Sequence, residues 1–393
     1  MRKIDVTERR ARIGRRHRLA PSAQAASPLE AAESLVVLHA TDPATVYLSV
    51  TARVPGMTVA DTEQALYDDR SLLRMLGMRR TVFVVPTTLA GVVQTACTDD
   101  IAVRQRKLLV KHLAEAGVPD AADWLTEVEA STVKALQARG SATATQLGED
   151  EPRLRTRLSM SEGKAYAAQP FVTSRVLFQL AADGLIVRGR PLGTWMSGQH
   201  QWSPIETWLP AGLHVGLSAE EARVELARRW LASFGPGSTS DLQWWTGWNG
   251  GQTKKALAAV DAVEVELTGT GTTGWVLPGD EEPVEPVEPW VALLPALDPT
   301  PMGWKERDWY LGEHKPQLFD NTGNVGPTIW CDGRIVGGWG QPESGEIRYR
   351  LLTDIGQEAA AAVEAEVARW SSWLNGIRVP HRFRCPLERE LSQ

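Results

Sequence analysis

Cysteine is scarce in this 393-residue chain, and Cys97, Cys331 and Cys385 lie far apart. A disulfide framework and a Cys-based zinc site are both excluded on that count. No apolar run approaches the roughly 20 residues of a membrane helix. The basic N-terminus is followed by neither an apolar stretch nor a cleavage site, so no secretory signal is read. The glycines from Gly333 to Gly340 lack the strand-then-helix setting and the following lysine of a phosphate loop. No Gly-x-Ser-x-Gly elbow occurs. These absences remove kinase, NTPase, dehydrogenase and serine-hydrolase readings. No cofactor or metal is expected, and the chain reads as a reduced, cytoplasmic, monomeric protein.

Two other shortages are local. Tyr and Phe number only 5 and 6 beside 16 Trp, and no Trp precedes Trp124. Net charge is −6, but residues 1–20 carry eight basic and two acidic side chains, which leaves the remainder at −12. A globally basic mode of nucleic-acid binding is excluded, whereas a local basic cleft is not. The Arg-rich start reads either as a phosphate-binding arm or as a solvated segment.

What is present gives an α+β order of elements. Ser27-Pro28-Leu29-Glu30 forms a capping box with Pro at the first helical position, predicting a helix through about Leu38. His39-Ala40-Thr41 breaks it, Asp42-Pro43 restarts a helix, and Thr58 with Asp61 starts a third. Thr81–Val85 reads as a short buried strand. Farther on, Gly140–Leu147 is a polar helix start, Pro170–Ala182 is amphipathic, and Leu185–Arg188 with Trp195–Trp202 reads as a hairpin. Helix, turn, helix and two-stranded wing is the winged-helix grammar. It recurs through Ser218–Phe234, the turn at Gly235–Leu242, and strands Val263–Leu267 and Trp275–Leu277. Asp280–Pro289 is an acidic, Pro-rich linker, expected to be extended and solvated. The strand-like runs beyond it, with Asp332-Gly333 as a turn, predict a small β-barrel or sheet, closed off by a helix over Gly356–Leu374. The expected divisions are 1–86, 87–212, 213–280 and 290–393.

Several segments resemble the AlkZ/YcaQ-type winged-helix DNA glycosylases. They are Leu38-His39-Ala40-Thr41-Asp42-Pro43, Leu66-Tyr67-Asp68-Asp69-Arg70, Met75–Thr81, Phe83–Pro86, Leu293–Pro299 and Gly323–Thr328. The resemblance implies tandem winged helices and a C-terminal small β-barrel forming a C-shaped clamp on duplex DNA. It also implies monofunctional excision of bulky alkylated purines, N7-guanine adducts and interstrand crosslinks among them, as base excision repair or as antibiotic self-resistance. The family's catalytic signature is usually Gln, an apolar residue, then Gln or Asp; here His39, Ala40 and Thr41 stand at those positions. The departure leaves open a second expectation, a non-catalytic winged-helix regulator or lesion-sequestering protein.

The chemistry suits modest groups. An N7-alkylated guanine is already cationic and leaves without protonation, so the protein must stabilise an oxocarbenium-like sugar and supply a water. His39 is expected to accept a proton from that water and Thr41 to hold it. Asp42 reads first as a helix cap and second as a carboxylate facing positive sugar charge. Candidate DNA contacts are Arg79 and Arg80 ahead of the strand, Arg188, Arg190, Gln199, His200, Gln201 and Trp202 on the wing, and Trp304 with Lys305 nearer the C-terminus. For each of these, an ordinary solvated or packed role is the competing reading.

Overall fold

Residues 1–158, 170–214, 216–268 and 271–393 are described by a computed structural model of the chain. They fall into two units, one built from Met1–Leu72, Phe83–Pro86 and Arg223–Gln393, the other from Leu73–Val82 and Thr87–Ala222. The 87–212 segment lies within the second unit, while the 1–86 segment contributes to both.

In the second unit, helices Asp99–Glu115, Ala121–Arg139, Ala144–Asp150 and Thr173–Ala182 precede an antiparallel hairpin of Ile186–Pro191 with His200–Pro204. Gly140, at φ +73°, ends the long helix, and Thr143 with Gln146 forms a reciprocal capping box that opens the next. Leu109, Leu125, Val128, Leu147, Val176 and Leu180 close with Ile186 and Trp202 into one core. Ala142, immediately before the cap, exchanges both backbone hydrogen bonds with Trp202, at 3.0 and 2.7 Å.

The first unit repeats this plan. After the helix Ala219–Phe234, Ser238 and Asp241 form a capping box for Thr239–Thr246, and Asn249 and Gln252 form one for Gly250–Ala259. Strands Val263–Leu267 and Thr272–Val276 then pair antiparallel. Gly237, again the residue before the cap, exchanges both backbone bonds with Trp275, at 3.3 and 2.9 Å. The internal repeat therefore reaches beyond local signals to a matching non-local pairing. Gly237 is required there, since a Cβ would lie 2.3 Å from the Trp230 ring.

One strand was not visible in the local pattern. Arg2–Ile4 runs parallel to Val265–Leu267, and Ile4 packs with Val265, Leu267 and Val276. The Val6–Arg16 helix follows, capped by Asp5. Arg9 and Arg12 are buried and Arg10 and Arg16 half-buried, which corrects both sequence readings for these four, while Arg15 is exposed. Arg12 is buried and pairs with Glu8 at 2.9 Å and Asp280 at 3.0 Å. Arg16 also pairs with Asp280, and Arg2 donates to the Glu281 carbonyl. Arg9 lies over the Trp309 ring at 3.8 Å. Ser22 donates to Glu288. The acidic Pro-rich run is thus strapped by the basic helix rather than standing free, because each supplies the charge that the other lacks.

The C-terminal strands form an open four-stranded antiparallel sheet in the order Arg348–Leu351, Arg334–Gly340, Thr328–Cys331, Val291–Leu294. No closed barrel occurs among the described residues, which corrects that expectation. Four short strands are too few to close on themselves, and helices cover the sheet instead. Gly356–Leu374 packs on Val291–Leu294 and Pro386–Leu391 on Arg334–Gly340. Indoles fill this core. Trp304, Trp309, Tyr310 and Trp330 make successive ring contacts at 5.2, 4.8 and 5.4 Å.

A fully buried ion pair ties the first unit together. Arg53 and Asp298 are both 0% exposed and pair bidentately at 2.9 and 2.7 Å. The remaining Arg53 donors go to the His17 carbonyl, the Ser49 carbonyl and Thr300 Oγ1. Asp298 also accepts from Ser49 Oγ at 2.7 Å and from the Thr300 N–H at 2.9 Å. Every guanidinium donor is satisfied, the condition under which a buried pair is tolerable. Burial alone would raise the Asp298 carboxyl, but the Arg53 charge and these hydrogen bonds hold it below the ordinary carboxylate range.

His17 closes the network through Thr300 Oγ1 at 2.9 Å and the Ser233 carbonyl at 3.2 Å. Burial, reinforced by the neighbouring Arg53 charge, pulls its imidazole down to about 3. The folded protein therefore keeps His17 neutral where the unfolded chain would protonate it. Its contribution is present above the ordinary histidine range and is lost as pH falls below about 6.5, at up to about 1.4 kcal/mol per pH unit. Urea unfolding at pH 7.5 and 5.5 is expected to show that loss, and His17→Asn to reduce the difference. An unchanged slope in the variant would contradict this account.

Candidate active site

The predicted helix through Leu38 ends early. Pro28–Ser34 is helical, with Ser27 accepting from the Glu30 N–H, Val36 takes φ +68°, and Leu38–His39 is a short strand. Val36, in the left-handed region, ends the helix, and the β-branched Val37 favours the extended chain that follows. His39 is therefore held at a strand end, in register with Phe83, rather than in a break between helices. Its ring is buried and meets Phe83 edge-on at 5.4 Å.

Thr41 is half-buried, and its N–H points to His39 Nδ1 at 3.5 Å. A neutral ring accepting at Nδ1 carries its proton on Nε2, so this nitrogen offers a donor rather than a base. Asp42 is 3% exposed and caps the Pro43–Thr51 helix, accepting from the Ala44 N–H at 3.2 Å. Its second oxygen accepts from the Arg382 N–H at 3.1 Å. The helix that follows is seated through Thr45 Oγ1 on the Ala296 carbonyl and through Ser49 on Asp298. Leu293–Pro299 is thus the bed for the helix that follows the His39–Asp42 segment.

Sequence reasoning missed His381. It is buried beside Asp42 and Glu388, makes edge contact with Trp339 at 5.4 Å, and leaves Nε2 without a hydrogen-bond partner. Burial lowers its imidazole against the pull of those two carboxylates. The sole signal was a Pro-containing basic tail, Val379-Pro380-His381-Arg382, of a kind common on solvated termini.

Asp42 carries two backbone hydrogen bonds in a buried setting, so its structural role exceeds that of a simple cap. Asp42→Ala is expected to lower the unfolding free energy by about 2 kcal/mol, against about 1 for a cap alone. Urea titration checks this. Lost turnover with unchanged stability would transfer Asp42 to the chemistry.

The remaining candidates divide between the units. Arg79 and Arg80 are exposed at a turn with φ +54° and +62°. Two consecutive positive φ values at arginine are costly and are sustained by the surrounding strands. Arg80 also lies 5.2 Å from the Phe178 ring. Arg188, Gln199, His200 and Trp202 line one cavity of about 550 Å³ beside the starts of two helices, while Arg190 and Gln201 are not among its lining residues. Arg188 sits 4.9 Å over the Trp202 ring. Trp304 corrects its expectation. It is 2% exposed, donates to the Phe234 carbonyl and packs against Phe234, leaving no face for a base. Lys305 is exposed, and its N–H caps onto Asp241 at 2.8 Å.

This α+β architecture is that of a known glycosylase. Among solved structures, Streptomyces sahachiroi DNA glycosylase AlkZ matches with a TM-score of 0.74 at 20% identity, over 97% of this chain and 99% of that chain. A search of curated proteins finds no match. The family model described as DNA glycosylase AlkZ-like covers residues 32–373, and the chain belongs to that family. Its class is DNA glycosylase, a DNA-repair enzyme. No helix among the described residues is long and apolar enough to cross a membrane.

Proposed function

We propose that the chain is a monofunctional glycosylase that hydrolyses the N-glycosidic bond of bulky N7-alkylated purines in duplex DNA. The observation that carries this reading is the His39–Thr41 segment, at the family's catalytic positions, followed by the buried Asp42, which accepts from the Arg382 N–H, and by a helix held on Leu293–Pro299. The adduct's own positive charge weakens the bond, and the base departs with the bonding pair. Water then adds to C1′ of the oxocarbenium-like sugar and loses a proton to solvent. Such an electrophile requires an oriented water more than a deprotonated one. His39 Nε2–H and the Thr41 hydroxyl supply that orientation, and the Asp42 carboxylate favours positive charge nearby. His39, Thr41, Asp42 and His381 include no amine for a Schiff base, in keeping with base removal without strand cleavage.

The two helix–capping box–helix–hairpin repeats are read as winged helices. Arg79, Arg80, Arg190 and the Arg188 hairpin are read as contacts to the DNA backbone, with a monomer as the working unit. In a producer of alkylating antibiotics, the same activity would serve self-resistance.

The test is incubation with duplexes bearing bulky N7-alkylguanines, followed by mass detection of free base and alkaline cleavage at abasic sites. Released base with intact strands before alkali is expected. Duplex affinity without release from any bulky lesion would favour the lesion-sequestering alternative, for which the replacement of the family's usual glutamine by His39 is the specific observation.

A further inference from the structure

The cavity of about 550 Å³ in the second unit has an electrostatic feature that the hairpin alone does not explain. Arg188 and Trp202 face each other across the strands, and the guanidinium lies over the indole. Trp202 is fixed by its double backbone pairing with Ala142, so this wall is rigid. Among the described residues no acidic side chain pairs with Arg188. The neighbouring charge is a second guanidinium, Arg74. Burial first, and Arg74 second, pull the Arg188 guanidinium down to about 10. A half-buried cation with no acidic partner among the described residues lowers the stability of the free protein, and the indole face compensates only in part. Charges held at such a cost belong to sites whose partner arrives from outside.

We propose that this cavity receives one phosphate of a DNA strand, with Arg188 as its counter-charge and Thr145, Ser174 and Gln199 as further donors at the rim. Thr145 and Ser174 stand exposed at the starts of the Ala144–Asp150 and Thr173–Ala182 helices, and Gln199 is exposed on the hairpin. Leu192, 40% exposed, and Leu177 give the cavity an apolar side against which the adjoining deoxyribose fits. The volume exceeds what a bare phosphate fills and suits a phosphate with its sugar. The inference rests on the duplex-binding reading above and assigns one particular phosphate contact within it.

The test measures duplex affinity of the full chain against salt concentration, together with melting temperature, for wild type, Arg188→Met and Arg188→Lys. Arg188→Met should bind an undamaged duplex about tenfold more weakly at low salt, with the slope of log K against log salt shallower by about 1. Its melting temperature should rise by about 2 °C, because a half-buried cation with no acidic partner among the described residues has gone. Arg188→Lys keeps the slope. Protection of the wild type against heat by inorganic phosphate, absent in Arg188→Met, supports the pocket independently of DNA. If Arg188→Met melts lower and binds DNA as the wild type does, Arg188 is a packing residue and the proposal is overturned. A wild type without duplex affinity at low salt instead overturns the reading beneath it.

Discussion

His39→Ala is expected to slow single-turnover release of an N7-alkylated base by about 100-fold or more, the lower range for a positioned group acting on water. The fold should survive, because the strand register with Phe83 is a backbone property. The melting temperature is expected to fall by only about 2 °C, the scale of a loss near 1 kcal/mol. His39→Gln separates orientation from proton transfer. Glutamine is the residue usual in the family at this position, and its amide donates to a water but does not accept a proton from it at neutral pH. If orientation dominates, His39→Gln retains most of the activity, with a pH profile flat between 5.5 and 8. If it is as inactive as His39→Ala, His39 acts as a base, and the tautomer inferred from the Thr41 contact is not the working one.

The second large effect is on stability. Asp298→Asn is expected to cost about 3–5 kcal/mol in urea unfolding, since it leaves the guanidinium of Arg53 buried without its counter-charge. The double variant Arg53→Met with Asp298→Leu should recover much of that loss, because an apolar pair of similar volume carries no desolvated charge. Asp298→Asn also loosens the seat of the Pro43–Thr51 helix through Ser49. Base release should then fall even at temperatures where the variant is folded. A loss below 1 kcal/mol would refute the account of the network.

Residues close in sequence were legible, and residues brought together across the chain were not. Ser27, Thr143, Ser238 and Asp42 announced their helices because a cap and the N–H that it accepts lie within three residues. Both hairpins were legible in their place along the chain, although the return strands run over His200–Pro204 and Thr272–Val276 rather than Trp195–Trp202 and Trp275–Leu277. The strand Arg2–Ile4 was hidden because its partner stands near residue 265 and three residues carry no period. The N-terminal arginines read as a surface feature since Asp280, which pairs with both Arg12 and Arg16, lies far along the chain from them. Leu72–Leu76, an unbroken buried strand, offers no alternation to distinguish it from helix. Within the site, His39, Thr41 and Asp42 came from one contiguous segment, whereas His381 and Arg382 reach Asp42 from the far end of the chain. Trp304 was misjudged because an indole beside Lys and Arg reads as a surface ring until its surroundings, Phe234 and Trp309, are known.

The parallel pairing of Arg2–Ile4 with Val265–Leu267 also orders events during synthesis. At roughly 5–20 residues per second, the strand waits tens of seconds for a partner made about 260 residues later. The second unit's Thr87–Ala222 stretch is complete before that partner exists, and the first unit cannot close its three-stranded sheet until the Val263–Leu267 strand has left the ribosome. Meanwhile Arg12 and Arg16 stand without Asp280, the carboxylate that both pair with in the folded chain. Arg2–Ile4 thus takes its place only after the second unit's Thr87–Ala222 stretch has been made.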